Sequence, residues 1–194
     1  HTVFPPGLSL GKPRDKAFQI EVLTAAFKLL EAPQGPVINE FPISISATDS
    51  EPLTCPLPPQ MNPKLHPAVD EAEALRSAYY RAYERTKRTS VGMQISAEEI
   101  PQALEKFAKI AAGEHWAEVG FLNESIAEVM YGTVHDIRTY YEELACELAD
   151  GPIGPWTTEQ WFYDNTKAGQ TILQARRAMR DSEADQSLWF GLAT

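Results

Sequence analysis

A chain of 194 residues is long enough for one domain with its own core, or for a small domain and an appendage. Its 43% hydrophobic and 23% charged content is that of a globular protein. A net charge of −10 sets the surface against phosphodiester backbones, so nucleic acid is excluded as an expected partner. No apolar run approaches the roughly 18 residues of a membrane span, and no secretory leader is visible, so no membrane association is expected.

Three zones are expected along the chain. The first, residues 1–46, opens on a glycine- and proline-rich turn, and Asp15 then caps a helix running to about Glu31. Phe18, Val22, Ala25, Ala26, Leu29 and Leu30 recur at helical steps and predict one buried face. Pro33, Gly35 and Pro36 stop the helix, and VINEFPISIS predicts a strand that Pro42 confines to a sheet edge. One helix and one strand cannot make a core alone, so they predict the terminal unit of a larger α/β sheet.

The second zone, residues 47–67, is a proline-rich connector. Pro52, Pro56, Pro58, Pro59, Pro63 and Pro67 keep it extended, and Leu53, Leu57, Met61 and Leu65 predict that it lies along a surface.

The third zone, residues 68–194, predicts a bundle-like helical layer, so the fold class is mostly α. A first helix covers Ala68 to about Thr86. Ser96 and Glu99 form a capping box for a second, reaching about Ala112. Next come two helices, or one kinked at Gly132. Its apolar face includes Met130, Val134, Ile137, Tyr141, Leu144 and Ala145. Thr157 and Gln160 predict a single helix over 158–180, and a helical turn near Asp185 to Phe190 closes the chain.

Candidate chemistry is sparse. Only three residues separate Gly7 from Gly11, where a phosphate-binding loop has four, and Pro13 stands where that loop has its magnesium-binding hydroxyl. The plainer reading is a loop that turns the backbone before Asp15. Lys12 and Arg14, beside a helix N-terminus, are the candidate anion or substrate contacts. None of His66, His115 or His135 has a glutamate three residues before it, so no di-iron pattern exists, and neither a metal nor a cofactor is expected.

Cys55 and Cys146 form no zinc or redox spacing and read as reduced thiols, which fits a cytoplasmic protein, against the alternative of a disulfide between them. Cys55, in an irregular segment, is the candidate nucleophile, against the alternative of a packed thiol. Cys146 reads as core. The pairs Tyr79-Tyr80 and Tyr140-Tyr141 read as core and rim with hydroxyls reaching solvent, and Glu142-Glu143 as a solvated face.

LGKPRDKAFQIEVLTAAFKLLE followed by VINEFP, with Gly11, Pro13 and Asp15, resembles the C-terminal portion of proteins related to the selenoprotein B component of glycine, sarcosine, betaine and D-proline reductases. RTSVGMQISAEEIPQALEKF, IRTYYEELACELADGP and TEQWFYDNTKAGQTILQARRAMRDSEADQSLWFGLAT are similar to a helical extension in relatives that lack selenocysteine. The resemblance implies an α/β oxidoreductase in which a selenocysteine or cysteine removes an amine from a small amino-acid-like substrate, with thiols as reductant. In the family that reactive group lies upstream of the matched segment, so no catalytic residue carries over. The expectation is a C-terminal fragment or subunit of such a reductase, with a structural and oligomerisation role and the rest of the reductase as partner. His1 in place of Met fits that expectation. The alternative is a non-catalytic helical scaffold of a larger enzyme complex.

Overall fold

The computed structural model of the chain describes residues 2, 4, 10–12, 15–45, 52–121, 125–150, 153, 157–182 and 184–193. Helices dominate it: α1 (Lys16–Lys28), α2 (Pro67–Thr86), α3 (Ile100–Ala111), α4 (Ile126–Leu148), α5 (Thr157–Asn165), α6 (Lys167–Asp181) and α7 (Gln186–Trp189). The chain divides into two compact units: His1–Leu53 with Ala149–Thr158, and Thr54–Leu148 with Glu159–Thr194.

In the first unit Asp15 caps α1 by accepting the Phe18 backbone N–H at 3.0 Å. Phe18 is buried and meets the rings of Phe4 and Phe41 at 5.9 and 6.0 Å. Gly11 has φ +77°, and a Cβ there would stand 2.4 Å from the Phe18 ring. The opening glycine therefore serves the backbone turn and the close packing of an aromatic ring. The strand expected over VINEFPISIS is not formed, and no strand occurs among the described residues. Pro42 has no N–H to give a ladder, and residues 37–45 have no neighbouring strand with which to exchange bonds.

The second unit is a helical body. α3 packs along α6 and α2 along α4, while α2 also touches α3 and α6. Between them lie Leu75, Ile100, Leu104, Phe107, Met130, Ile137, Leu144, Ile172 and Met179, all buried. The capping box forms as expected, with the Glu99 carboxylate accepting the Ser96 N–H at 2.9 Å. Pro101 falls in the first turn of α3, where no N–H is required.

Two junctions differ from the periodicity. α4 is one continuous helix through Gly132, whose missing Cβ lets Gln94 approach: a Cβ there would lie 3.0 Å from the Gln94 Cβ. The single helix expected over 158–180 is instead broken at Thr166. Its hydroxyl donates to the Phe162 carbonyl at 2.6 Å and accepts the Gly169 N–H at 2.9 Å, so it closes α5 and caps α6. A Cβ on Gly169 would sit 2.1 Å from the Phe162 oxygen, so the turn between the helices is built around that glycine. The tyrosine hydroxyls of α4 also point inward rather than to solvent. Tyr140 Oη donates to the Ala72 carbonyl at 3.0 Å, and Tyr141 Oη donates to Glu71 at 3.1 Å.

Leu144 and Ile172 are fully buried on different helices of this core. Leu144→Ala and Ile172→Ala are each expected to cost about 2–5 kcal/mol in urea-induced unfolding. A loss under about 0.5 kcal/mol for either would place that side chain outside the core.

Candidate functional site

Three acidic side chains of the helical unit hold backbone N–H groups. Asp70, Glu71 and Asp136 are all buried. Asp70 accepts the N–H groups of Met61 and Asn62 at 2.6 and 2.9 Å, which fastens the end of the proline-rich segment to the first turn of α2. Glu71 accepts from Lys167 at 2.9 Å, from Ala168 at 3.2 Å and from the Tyr141 hydroxyl. It places its charge on the N-terminus of α6.

Asp136 accepts four consecutive backbone N–H groups, from Gly92, Met93, Gln94 and Ile95, at 2.6–2.9 Å. Burial pushes the Asp136 carboxyl up, but the four donors together outweigh it and hold the group below its usual range. For Glu71 burial wins, and its carboxyl is raised despite the Lys167 and Ala168 donors.

A second polar cluster lies between α4 and α5. Arg138 Nε is 3.4 Å from Glu142 and its Nη1 is 3.3 Å from Glu159. Glu142 is therefore half-buried rather than on a solvated face, and burial raises its carboxyl against the pull of Arg138. Neighbouring Glu143 takes the Ser90 N–H at 2.7 Å. The Arg138–Glu159 pair links α4 to α5, while Glu142 lies one turn along from Arg138 on α4 itself. A cleft of about 340 Å³ beside the start of α2 is lined by Lys64, His66, Glu105, Lys109 and Glu114 among others. His66 Nδ1 accepts the Ala68 N–H at 3.3 Å, and burial lowers its pKa. Among the described residues no group of three or more His, Cys, Asp or Glu side chains could hold a metal.

The sequence-derived candidates fall in different places. Lys12 is exposed in the first unit, with its Nζ 5.2 Å from the centre of the Phe18 ring, while Asp15 already supplies a carboxylate to the α1 N-terminus. Arg14 lies outside the described residues. Cys55 is half-buried in the second unit, and its thiol donates to the Ala145 carbonyl at 3.8 Å.

The feature of greatest functional interest is on α1. Phe18 and Val22 are buried and Ala25 and Leu29 half-buried, which makes one apolar face. Leu30 and Ala26, expected on that face, are exposed. Ile20, Leu23, Phe27 and Leu30 form a second apolar face at steps of three, four and three residues, and they are 52, 39, 63 and 81% exposed. Val37 and Ile38, just beyond the helix, are also exposed. A helix apolar on both sides belongs in an interior with neighbours on both sides. The 20–23–27–30 spacing carries this signal in the bare sequence, but it is hidden when a single face is fitted.

No protein-family model, curated protein or solved structure matches this chain. Among the described residues no helix is long and apolar enough to cross a membrane.

Asp136 yields a prediction about acid stability. Its folded pKa is depressed below the ordinary value of 3.8, so its stabilisation is complete above that value and is lost as pH falls through the folded value. Glu71 works the other way. Its raised pKa means stability is gained as pH falls toward the ordinary 4.5. Asp136→Asn is expected to lose about 2–4 kcal/mol at pH 7, and its Tm should fall less steeply than that of the parent below about pH 4. Thermal melts from pH 7 to 2 read both effects.

Proposed function

We propose that this chain builds an interface within a larger enzyme: a helical, non-catalytic portion of a thiol-dependent reductase acting on a small amino-acid-like substrate. The observation that carries this reading is the second apolar face of α1, Ile20, Leu23, Phe27 and Leu30, standing in solvent. The occupant that suits it is the α/β body expected of such a reductase. On that body α1 becomes a covering helix. The segment Val37–Ile45, which makes no ladder of its own, becomes a strand at the sheet edge, with Pro42 on the outer side.

The absence of catalysis in this portion is supported by how its acidic groups are used. Asp70, Glu71 and Asp136 each hold backbone N–H groups, and Arg138 is shared by Glu142 and Glu159. The reactive cysteine or selenocysteine belongs to the partner. A reducing compartment such as the cytoplasm suits that chemistry and the two thiols of this chain. A non-catalytic scaffold in an enzyme of another class would use the same α1 face, and substrate chemistry separates the two.

The test is purification of the tagged chain from its own cells. The expected complex contains a polypeptide with a reactive cysteine or selenocysteine and consumes a dithiol in the presence of a small amino-acid-like substrate. Phe27→Glu with Leu30→Glu should release the chain from that complex and leave the unfolding of the helical unit unchanged within about 0.5 kcal/mol. Retention of the double variant in the complex removes the α1 interface. A complex without dithiol-dependent turnover leaves the scaffold reading. Turnover by the isolated chain overturns both.

A further inference from the structure

The geometry points to Cys55 and Cys146 as a redox-modification site, a thiol pair that closes to an internal disulfide under a peroxide or a disulfide oxidant. The two residues are 91 positions apart, yet the Cys55 thiol donates to the carbonyl oxygen of Ala145 at 3.8 Å. Cys146 is the next residue. Across a trans peptide a carbonyl oxygen stands only ~2.8 Å from the following Cα. The Cys55 sulfur is therefore within about 6.6 Å of the Cys146 Cα. The Cys55 Cα lies ~2.8 Å from its own sulfur, so the two Cα atoms are at most about 9.4 Å apart; a disulfide needs about 4.4–6.8 Å, so closure asks for a local adjustment of at most about 3 Å.

The adjustment falls on one side of the pair. Cys55 sits outside any helix in the proline-rich segment, between Thr54 and Pro56. Cys146 belongs to the last turn of α4, which Arg85 holds: its Nη2 reaches the Cys146 carbonyl at 3.5 Å and its Nε reaches Glu147 at 3.0 Å. The strap moves and the helix stays. Both residues are only half-buried, which leaves a small oxidant a way to the sulfurs.

With hydrogen peroxide the step balances simply. One thiolate attacks a peroxide oxygen, so that an S–O bond forms, the O–O bond breaks and hydroxide leaves. The other thiolate attacks the resulting sulfenic sulfur, forming the S–S bond while the S–O bond breaks and water departs after protonation. Two electrons pass from the sulfurs to one peroxide, which becomes two waters. The closed loop contains α2, α3 and most of α4, so it restricts the unfolded chain far more than the folded one.

The full chain, treated with a small excess of hydrogen peroxide and then freed of it, is the test. The expected product is about 2 Da lighter and gives one cross-linked peptide that joins Cys55 to Cys146. Both thiols disappear together in a thiol titration. The Tm rises by about 5–15 °C and returns with dithiothreitol. Cys55→Ser and Cys146→Ser should each abolish the mass loss. Oxygen added to either sulfur without a cross-link, a disulfide between two chains, or a mass loss that persists in either variant overturns the proposal.

Discussion

Ionised carboxylates that gather backbone N–H groups hold the helical unit in its particular arrangement. The segment joining α2 to α3 has no ladder or helix to satisfy its donors. Four of them in succession, Gly92 to Ile95, converge on Asp136. A buried N–H without a partner costs about as much as a lost hydrogen bond, and a carboxylate offers roughly four acceptor positions. One side chain on α4 thereby fixes the course of an entire loop, and the loop in turn delivers Ser96 and Glu99 to start α3. Glu71 does the same for the break between α5 and α6, and Asp70 for the approach to α2.

This arrangement explains how an acidic protein keeps three carboxylates buried. Burial of a carboxylate is costly unless every lone pair finds a donor. At Asp136 the donors more than offset burial, and the group stays ionised more readily than in water. At Glu71 fewer donors leave burial in control, and the Tyr141 hydroxyl completes the set. Arg138, between two carboxylates, is likewise committed to joining helices. What remains available for recognition is mostly apolar and lies elsewhere, on α1.

The helices were legible where local chemistry decides them. Asp15, Ser96 with Glu99, and Asp185 each start a helix through a bond to a nearby N–H, so sequence proximity is enough. The apolar steps of α3 and α6 point to one core because those helices are buried mainly on one side. The failures share a different cause. The break at Thr166 depends on Glu71, 95 positions earlier, and on the close approach permitted by Gly169. Glu142 reads as a surface residue until Arg138 and α5 are placed beside it. Residues 37–45 have strand composition, but a strand is a relation between two segments and the second one is not among the described residues. Asp136 carried the clearest missed signal: an acid set among Val134, Ile137 and Tyr140 on a buried stripe demands a local set of donors.

The exposed face of α1 is better explained by a covering surface than by tolerance of scattered apolar residues. Single exposed leucines are ordinary, but Ile20, Leu23 and Phe27 on the 13-residue α1, with Leu30 in the 3-10 turn Leu29–Glu31 that follows it, are a pattern at heptad-like spacing, and they stand opposite another apolar face. A helix of that length is marginal in water without tertiary contacts. Phe18 packing on Phe4 and Phe41 supplies contacts on one side only. Covering Ile20, Leu23, Phe27 and Leu30 would release about 5–10 kcal/mol from removal of apolar surface alone. That is comparable to the estimated cost of immobilising a partner. Val37 and Ile38 are further exposed apolar surface in the same unit, whose burial would add to that gain.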